Sequence, residues 1–161
     1  MRKAVIVTGT PGTGKTLIAK RLSKLFKLIY VDVNDLINEN KLFDGFDKKF
    51  KTRLVDIKKL NKFLINLIKN SNETLVIDSH LSHYLPKMYV KLCIVTKCDL
   101  RVLKTRLKKR RYSQRKIDEN MEAEILRTCY IEALENKHKL IEIDTSNIRK
   151  INKELNKIKI K

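Results

Sequence analysis

Eight residues near the N-terminus, Gly9-Thr10-Pro11-Gly12-Thr13-Gly14-Lys15-Thr16, constrain the fold more than any other part of the sequence. They fit the pattern G-x-x-x-x-G-K-[ST] and follow a short apolar run at Ala4–Thr8 that has the length of a strand. The whole chain has four glycines and two prolines, and three of the glycines and one of the prolines fall in this segment. A purely structural loop has no need of them, so the segment predicts a phosphate-binding loop between a strand and a helix.

The chemistry of such a loop assigns a role to each type of residue in it. Residues without a Cβ let successive backbone N–H groups point at phosphate oxygens, and the following helix N-terminus adds its dipole. Lys15 is expected to reach the β- and γ-phosphates of ATP, and the Thr16 hydroxyl to ligate the Mg²⁺ that bridges them. We therefore assign ATP binding to the loop and the first helical turn, namely Gly9, Gly12, Thr13, Gly14, Lys15, Thr16 and Leu17.

Apolar runs and helical stretches alternate along the chain. Strand-length runs lie at residues 4–8, 28–33, 75–78, 92–96 and 140–143, and their continuous apolar character is typical of strands that are buried on both faces. The fold class is therefore α/β, a parallel sheet flanked by helices. One helix is expected after a capping Asp99, another over residues 117–135, and a basic amphipathic helix over 148–161.

The length of 161 residues predicts a single domain, residues 1–161. No stretch approaches the roughly 18 apolar residues of a membrane span, and no signal-peptide cleavage site follows the N-terminus. A cytoplasmic protein without membrane contact is expected. Cys93, Cys98 and Cys129 have neither disulfide-framework nor zinc-site spacing, so we interpret them as reduced and mostly buried thiols.

A second strand should end in an acid that orients the metal ion. The run Leu75–Asp78 ends in a carboxylate, as a Walker B segment does, so Asp78 is the predicted Mg²⁺ residue; the alternative is a helix or loop cap. His80 follows two residues later and could orient water or the phosphoryl acceptor, or be an ordinary loop histidine. A metal site made of His80 and His83 lacks a visible third ligand.

The densest basic run, residues 101–116, contains no acid. Such density is unfavourable unless an anion binds, and mobile arginines that close over a triphosphate neutralise charge as the transition state forms. The candidates are Arg106, Arg110, Arg111 and Arg115. The alternative is a solvated helix face.

The formal net charge of +19 exceeds what solubility requires. A polyanion such as RNA is one explanation. A Lys-rich and Ile-rich composition from a hot environment or an AT-rich genome is the other.

Four segments together resemble the sixth-isoenzyme adenylate kinase family, the coilin-interacting nuclear ATPase and its archaeal relatives. They are the phosphate-binding loop, Asp44-Gly45-Phe46-Asp47, Asp78-Ser79-His80, and Arg110-Arg111-Tyr112-Ser113 followed by Lys116-Ile117 and Asn120. The resemblance spans residues 4 to about 135. It implies an adenylate kinase-like P-loop fold with a five-stranded parallel sheet, an AMP-binding region near residues 32–55 and a short lid near 109–119, in which the family's lid arginine maps onto Arg110.

The same resemblance implies transfer of phosphate between ATP and AMP, hydrolysis of ATP, and a role in small ribosomal subunit maturation and rRNA processing. A platform ribosomal protein of the S-eleven family and ribosomal RNA are the implied partners. Relatives of the nuclear type carry an arginine seven residues before Gly45, where this chain has Asn38. Arg53 and Lys41 are nearby cations that could hold the AMP phosphate instead, with Arg53 favoured for its planar fork, and Asp35 is assigned to the same substrate region.

Four functions remain open from the sequence. The first is an adenylate kinase that also hydrolyses ATP. The second is a ribosome-assembly ATPase for which AMP is a poor acceptor. The third is an RNA-binding assembly factor in which bound nucleotide serves mainly to order the fold. The fourth is a small-metabolite kinase with the same loop.

Overall fold

The computed structural model describes residues 2–47 and 52–160, and the side chains of Thr52 and Arg53 lie outside that description. Its strands are β1 Ala4–Thr8, β2 Ile29–Asp32, β3 Gly45–Asp47, β4 Thr52–Leu54, β5 Leu75–Asp78, β6 Val90–Lys97 and β7 Leu140–Asp144. Five of them form one parallel sheet in the order β2-β5-β1-β6-β7, while β3 and β4 form a separate antiparallel pair. The five predicted apolar runs and the α/β class are thereby confirmed.

The helices are α1 Lys15–Phe26, α2 Val33–Glu39, α3 Ile57–Asn70, α4 Leu100–Lys109, α5 Gln114–Ile125, α6 Thr128–Glu135 and α7 Ile148–Leu155. The cap predicted for α4 is present, because the Asp99 carboxylate accepts hydrogen bonds from the backbone N–H groups of Arg101 and Val102. None of the described helices is both long and apolar enough to cross a bilayer.

The sheet is covered on both faces, which explains why its strands are apolar throughout. Ile6 of β1 and Ile77 of β5 belong to a core with Leu64 of α3 on one face. Val7 of β1 and Val76 of β5 belong to a second core with the helices α1 and α7 on the other face. Cys93 and Cys98 are buried, Cys129 is partly buried, and all three are free thiols, as expected.

Two of the predicted helices differ from those in the structure: one is interrupted and the other ends early. The helix expected over residues 117–135 is broken between α5 and α6, where Arg127 has a φ of 53° in the left-handed region. The Arg127 guanidinium donates to Glu142 at 2.6 Å and lies 4.0 Å from the centre of the Tyr130 ring. No glycine or proline marks the break, so the helical periodicity of the sequence continues across it. The C-terminal helix expected over 148–161 ends at Leu155.

The topology brings the carboxyl ends of three strands together. In the sheet register, Asp78 at the end of β5 lies beside Val7 of β1 and Asp32 of β2. The strand order changes direction at β1, since β5 and β2 lie on one side of it and β6 and β7 on the other. Ligands of open α/β sheets bind at such a switch point, and here it is followed directly by the glycine-rich loop.

Candidate functional site

The glycine-rich loop has the curled backbone that phosphate binding requires. Gly9 has a φ of 143° and Gly12 a φ of 93°. A Cβ on Gly9 would lie 2.4 Å from Thr96 Oγ1 and 2.6 Å from the Thr96 carbonyl oxygen, while one on Gly12 would lie 2.9 Å from Leu103. Both the conformation and the lack of space therefore exclude a side chain at these two positions.

Threonine hydroxyls hold the curl in place from within the protein. Thr13 Oγ1 donates to the Thr10 carbonyl oxygen at 2.7 Å, and Thr145 Oγ1 donates to the Thr13 carbonyl oxygen at 2.6 Å. Thr13 itself is fully buried and shares a 2.6 Å hydrogen bond with Thr96. Thr13, predicted to bind nucleotide, therefore supports the loop from behind rather than lining the cleft.

Lys15 extends back over the loop. Its Nζ donates to the carbonyl oxygens of Gly9 at 2.9 Å and Thr10 at 3.1 Å. Burial lowers the pKa of the Lys15 ammonium to about 8, and the nearby Asp78 carboxylate opposes part of that effect. The ammonium is thus held in a poorly solvated place where an anion would be a favourable partner.

Thr16 and Asp78, the two predicted metal residues, are in direct contact. Thr16 Oγ1 donates to Asp78 Oδ2 at 2.6 Å although the residues are 62 positions apart. Burial raises the pKa of the Asp78 carboxyl, while the Thr16 hydrogen bond and the Lys15 charge oppose the rise. A hydroxyl and a carboxylate are oxygen ligands of the kind Mg²⁺ prefers, so the donor set fits this ion.

Tyr30 is a site residue that the sequence analysis missed. Its hydroxyl lies 3.1 Å from Asp78 Oδ2 and 3.2 Å from Asp32 Oδ2, so it bridges the two acids. Burial and the two carboxylates raise the pKa of this phenol. A sequence signal existed, because Tyr30 and Asp32 are two residues apart in a strand and so share a face.

A cleft of about 860 Å³ opens in front of the loop. Lys15, Thr16, Leu17, Asp78 and His80 line it, as predicted for nucleotide-site residues, and Arg110 lines it from the lid. The structure therefore brings the predicted donor-site residues together around one space.

His80 lines this cleft and is exposed. Partial withdrawal of water by the surrounding protein, with the Lys15, His83 and Lys116 charges, lowers the pKa of His80 to about 4. The imidazole is therefore neutral at pH 7. A neutral imidazole can accept a proton from a water molecule.

His83 has a structural position instead. It is buried, and its Nδ1 lies 2.7 Å from Thr8 Oγ1. Its Nε2 lies 2.9 Å from Glu132 Oε2 in a short contact without hydrogen-bond geometry. Burial lowers the pKa of His83. Within residues 2–47 and 52–160 there is no cluster of three or more His, Cys, Asp or Glu side chains that could hold a metal ion.

The basic run divides into residues that face the cleft and residues that do not. Arg110 lines the cleft, and its charge lowers the pKa of Lys15. Arg111 is exposed, and Arg115 pairs with Glu119 at 3.2 Å on the same helix. Lys116 lines the cleft with Tyr112, its Nζ lying 4.5 Å from the ring centre, although the sequence analysis did not select it as a site residue. Both residues belong to the Arg110–Asn120 segment of the family resemblance, which was the available signal.

Arg106 does not fit the expectation of a mobile lid arginine. Its guanidinium donates to the Thr145 carbonyl oxygen at 2.7 Å, to Thr145 Oγ1 at 3.1 Å and to the Gly12 carbonyl oxygen at 3.4 Å. These partners belong to the phosphate-binding loop and to the segment after β7. Arg106 therefore fastens α4 to the loop, because a charged donor with three oxygen partners is strongly held.

Another part of the cleft lining is mostly apolar and comes from the region predicted to bind AMP. It contains Asn34, Ile37, Phe46, Leu54, Val55 and Ile57. Phe46 and Leu54 are more than half exposed, at 56% and 54%. Asp35 and Lys41 are exposed and are not among the lining residues, and the side chain of Arg53 lies outside the described residues.

The sheet order and the loop define the chain as a P-loop protein of the α/β class. A family model described as an AAA domain matches residues 5–127. The shikimate kinase of Bacteroides thetaiotaomicron has a similar fold, with a TM-score of 0.65 at 14% identity over 98% of this chain and 96% of that one.

Closer sequence relatives identify the family. The chain is 38% identical to a Methanocaldococcus jannaschii protein named "Putative adenylate kinase", over 89% of this chain and 77% of that protein. It is 35% identical to the "Adenylate kinase isoenzyme 6 homolog" of Schizosaccharomyces pombe, over 96% of this chain and 88% of that protein. The Dictyostelium discoideum homolog of the same name is 34% identical over 80% and 73%. The chain belongs to the adenylate kinase isoenzyme 6 family, and the predicted resemblance and nucleotide kinase class are confirmed.

The buried charge of Lys15 generates a prediction about stability. The pKa of about 8 lies below the ordinary value of 10.5, so the unfolded chain binds the Lys15 proton more tightly than the folded chain. Removal of this charge by Lys15→Met should therefore contribute on the order of 1–3 kcal/mol to the free energy of unfolding of the nucleotide-free protein at pH 7, opposed by the loss of the hydrogen bonds to the Gly9 and Thr10 carbonyl oxygens. The gain should shrink as the pH rises from 8 through 10.5, because the wild-type protein loses its penalty there.

Urea denaturation of both proteins at pH 7, 9 and 10.5, without phosphate or nucleotide, measures this difference. Lys20→Met on the same helix is the matched control, since Lys20 is exposed and should show no such trend. A stability difference between Lys15→Met and the wild type that does not change between pH 7 and 10.5 would contradict the prediction.

Proposed function

We propose that the chain transfers the γ-phosphoryl group of ATP to AMP, giving two molecules of ADP. The observation that carries this proposal is that one cleft is lined both by the cations Lys15, Arg110 and Lys116 and by apolar side chains of the region predicted to bind AMP. Cations suit the phosphates, and the apolar side chains suit a planar base. A phosphate donor and a nucleotide acceptor would thus meet in one space.

On the donor side, the loop would hold the triphosphate with backbone N–H groups and with Lys15. Mg²⁺, held by Thr16 and Asp78, would supply neutralisation of phosphate charge. The Tyr30 hydroxyl also donates to Asp78 and keeps its carboxylate oriented toward Thr16. The two oxygen ligands for the metal, from Thr16 and Asp78, therefore lie side by side. Arg110 approaches from the lid, where closure would place its charge on the moving phosphoryl group.

On the acceptor side, Phe46 and Leu54 would contact the base and Arg53 would hold the AMP phosphate. Phe46 and Arg53 are register partners in the β3–β4 pair, so the two residues belong to one short hairpin. Asn38, which replaces the arginine of the nuclear-type relatives, is exposed on α2 and does not line the cleft. This arrangement supports Arg53 as the phosphate-binding residue of this chain.

The transfer itself needs positioning more than proton chemistry. An oxygen of the AMP phosphate forms a bond to the γ-phosphorus as the bond from that phosphorus to the bridging oxygen of ATP breaks. ADP leaves with the bridging oxygen, and AMP becomes ADP. Because both oxygens are already anionic or become so, the chain contributes mainly charge stabilisation from Lys15 and Arg110.

A second candidate function is ATP hydrolysis in the service of small ribosomal subunit maturation. The specific observation in its favour is the neutral His80 on the cleft beside Lys15, because transfer to AMP has no need of a base. A water molecule in the place of AMP could pass its proton to His80 as it attacks the γ-phosphorus. Hydrolysis would then give ADP and inorganic phosphate without consumption of AMP.

Product analysis tests the main proposal. Wild-type protein with ATP and AMP should form two ADP for each AMP consumed, and Lys15→Met should lower the rate by orders of magnitude, since the γ-phosphate loses its main cation. Chromatography of the nucleotides measures both quantities. ADP and inorganic phosphate formed without loss of AMP would reject AMP as the acceptor, and near-normal turnover by folded Lys15→Met would reject the loop as the reaction site.

His80→Gln separates the two activities, because it keeps a polar side chain and removes the basic nitrogen. Hydrolysis without AMP should fall by about 10²-fold or more, and transfer to AMP by only a few-fold. For the wild type, kcat/KM for hydrolysis should be flat between about pH 5.5 and 7, since the pKa of free His80 lies near 4, and should fall as the pH passes about 8, where free Lys15 loses its proton. Equal loss of both activities would show that His80 has a structural role.

The charge of +19 is larger than a triphosphate and a monophosphate require. We include ribosomal RNA in the proposal, together with a small-subunit ribosomal protein of the S-eleven family as a partner, in a cytoplasmic setting. Four lysines at the C-terminus, Lys150, Lys153, Lys157 and Lys159, are exposed and support a basic surface there.

Salt dependence tests the RNA part of the proposal. RNA affinity should fall steeply with salt, and a variant with Gln at these four lysines should bind more weakly and with a shallower slope. The control replaces Lys58, Lys62, Lys69 and Lys87 with Gln, which removes the same charge elsewhere; α3 packs on the opposite face of the sheet from α7. Filter binding from 50 to 300 mM salt measures both slopes, and equal effects of the two variants would assign the charge to general composition.

A further inference from the structure

Glu124 of α5 reaches the back of the phosphate-binding loop. Its Oε2 accepts a hydrogen bond from Thr10 Oγ1 at 2.7 Å, across 114 positions of the sequence. Its Oε1 accepts one from the backbone N–H of Cys98 at 2.9 Å. The two oxygens of one carboxylate thus connect the loop to the segment that leads from β6 into α4.

Thr10, which donates to Glu124, is also the acceptor for other residues of the loop. The Thr10 carbonyl oxygen accepts hydrogen bonds from Thr13 N at 3.2 Å, from Thr13 Oγ1 at 2.7 Å and from Lys15 Nζ at 3.1 Å. Thr10 is 2% exposed, so its hydroxyl has little access to water as an alternative partner. Release of this hydroxyl would free the residue that positions both Thr13 and Lys15.

The same helix carries the end of the lid. α5 begins at Gln114, where Ser113 caps it, and Glu124 lies near its other end. On the other side of the lid, α4 is fastened to the Gly12 carbonyl oxygen and to Thr145 through Arg106. The phosphate-binding loop is therefore held from both helices that flank the lid.

We propose that Glu124 is a positioning residue for ATP binding, which acts by holding Thr10 and thereby the backbone of the phosphate-binding loop. The inference rests on the proposed ATP site, and it concerns the reach and hydrogen bonds of the side chain rather than its charge. It predicts that the ATP dissociation constant rises by about tenfold when the two hydrogen bonds are lost.

Two substitutions distinguish the effect of the length of the Glu124 side chain from the effect of its negative charge. Glu124→Gln keeps the length, and its amide can accept from Cys98 N and donate to Thr10 Oγ1, whereas Glu124→Asp keeps the charge and is one methylene too short to span both partners. Positioning predicts that the Gln variant is rescued to within about threefold of the wild type, while the Asp variant resembles Glu124→Ala. The negative charge of Glu124 also raises the pKa of Lys15. If that charge were what ATP binding requires, the Asp variant would be rescued and the Gln variant would resemble Glu124→Ala.

A double-mutant cycle tests whether the effect passes through Thr10. Thr10→Val removes the hydroxyl and keeps the shape, and it should weaken ATP binding by a similar factor. The Glu124→Ala/Thr10→Val double variant should bind ATP about as weakly as either single variant, because both substitutions remove the same hydrogen bond between Glu124 and Thr10. Glu122→Ala, an exposed acid on the same helix, is the control and should bind ATP as the wild type does.

The experiment measures ATP affinity by titration with Mg²⁺-ATP on the full chain, below the lowest melting temperature of the set, with kcat and KM for each variant. Rescue by Gln but not by Asp, with non-multiplying losses in the cycle, is the expected result. Rescue by Asp, multiplying losses, or melting temperatures that fall while ATP affinity stays unchanged would each overturn the proposal. Because ATP affinity is read directly, the test remains valid if AMP is not the acceptor, and wild-type protein that binds no ATP would reject the proposed function instead.

Discussion

Turning the N–H groups of a loop toward a phosphate turns its carbonyl groups toward the protein, and buried carbonyl oxygens need donors. This requirement organises the structure around residues 9–16. Lys15 supplies the donor for Gly9, Arg106 for Gly12 and Thr145 for Thr13. The donors come from the loop itself, from α4 and from the segment after β7, so the loop conformation depends on elements distributed along most of the chain.

Electrostatics adds a second dependence. Lys15 is poorly solvated, Arg110 lies close enough to oppose its charge, and Asp78 compensates only in part. His80 adds no positive charge near Lys15 at pH 7, because its surroundings keep the imidazole neutral. The cleft therefore holds one cation, Lys15, whose solvation is unfavourable, and an anionic ligand would relieve that cost. Affinity for phosphate and the cost of Lys15 to folding stability have the same physical origin.

The sequence analysis succeeded where the signal was local and failed where it was not. The five strands were predicted because burial on both faces makes each of them continuously apolar. The break at Arg127 was missed because no glycine or proline marks it, and the partner of Arg127, Glu142, lies in a strand that follows α6. Arg106 was assigned to the lid because it lies in a basic run, yet its partners are Gly12 and Thr145, which composition cannot indicate.

By itself, the sequence determined the phosphate-binding loop, the set of parallel strands and the pair of Thr16 and Asp78, since each of these follows from residues next to one another or at the end of a recognisable strand. Only the tertiary structure decided which other side chains serve the site. Tyr30 bridges Asp78 and Asp32, and Glu124 holds Thr10. A local pattern fixes backbone conformation over a few residues, whereas a contact across 114 positions exists only after the helices have packed on the sheet.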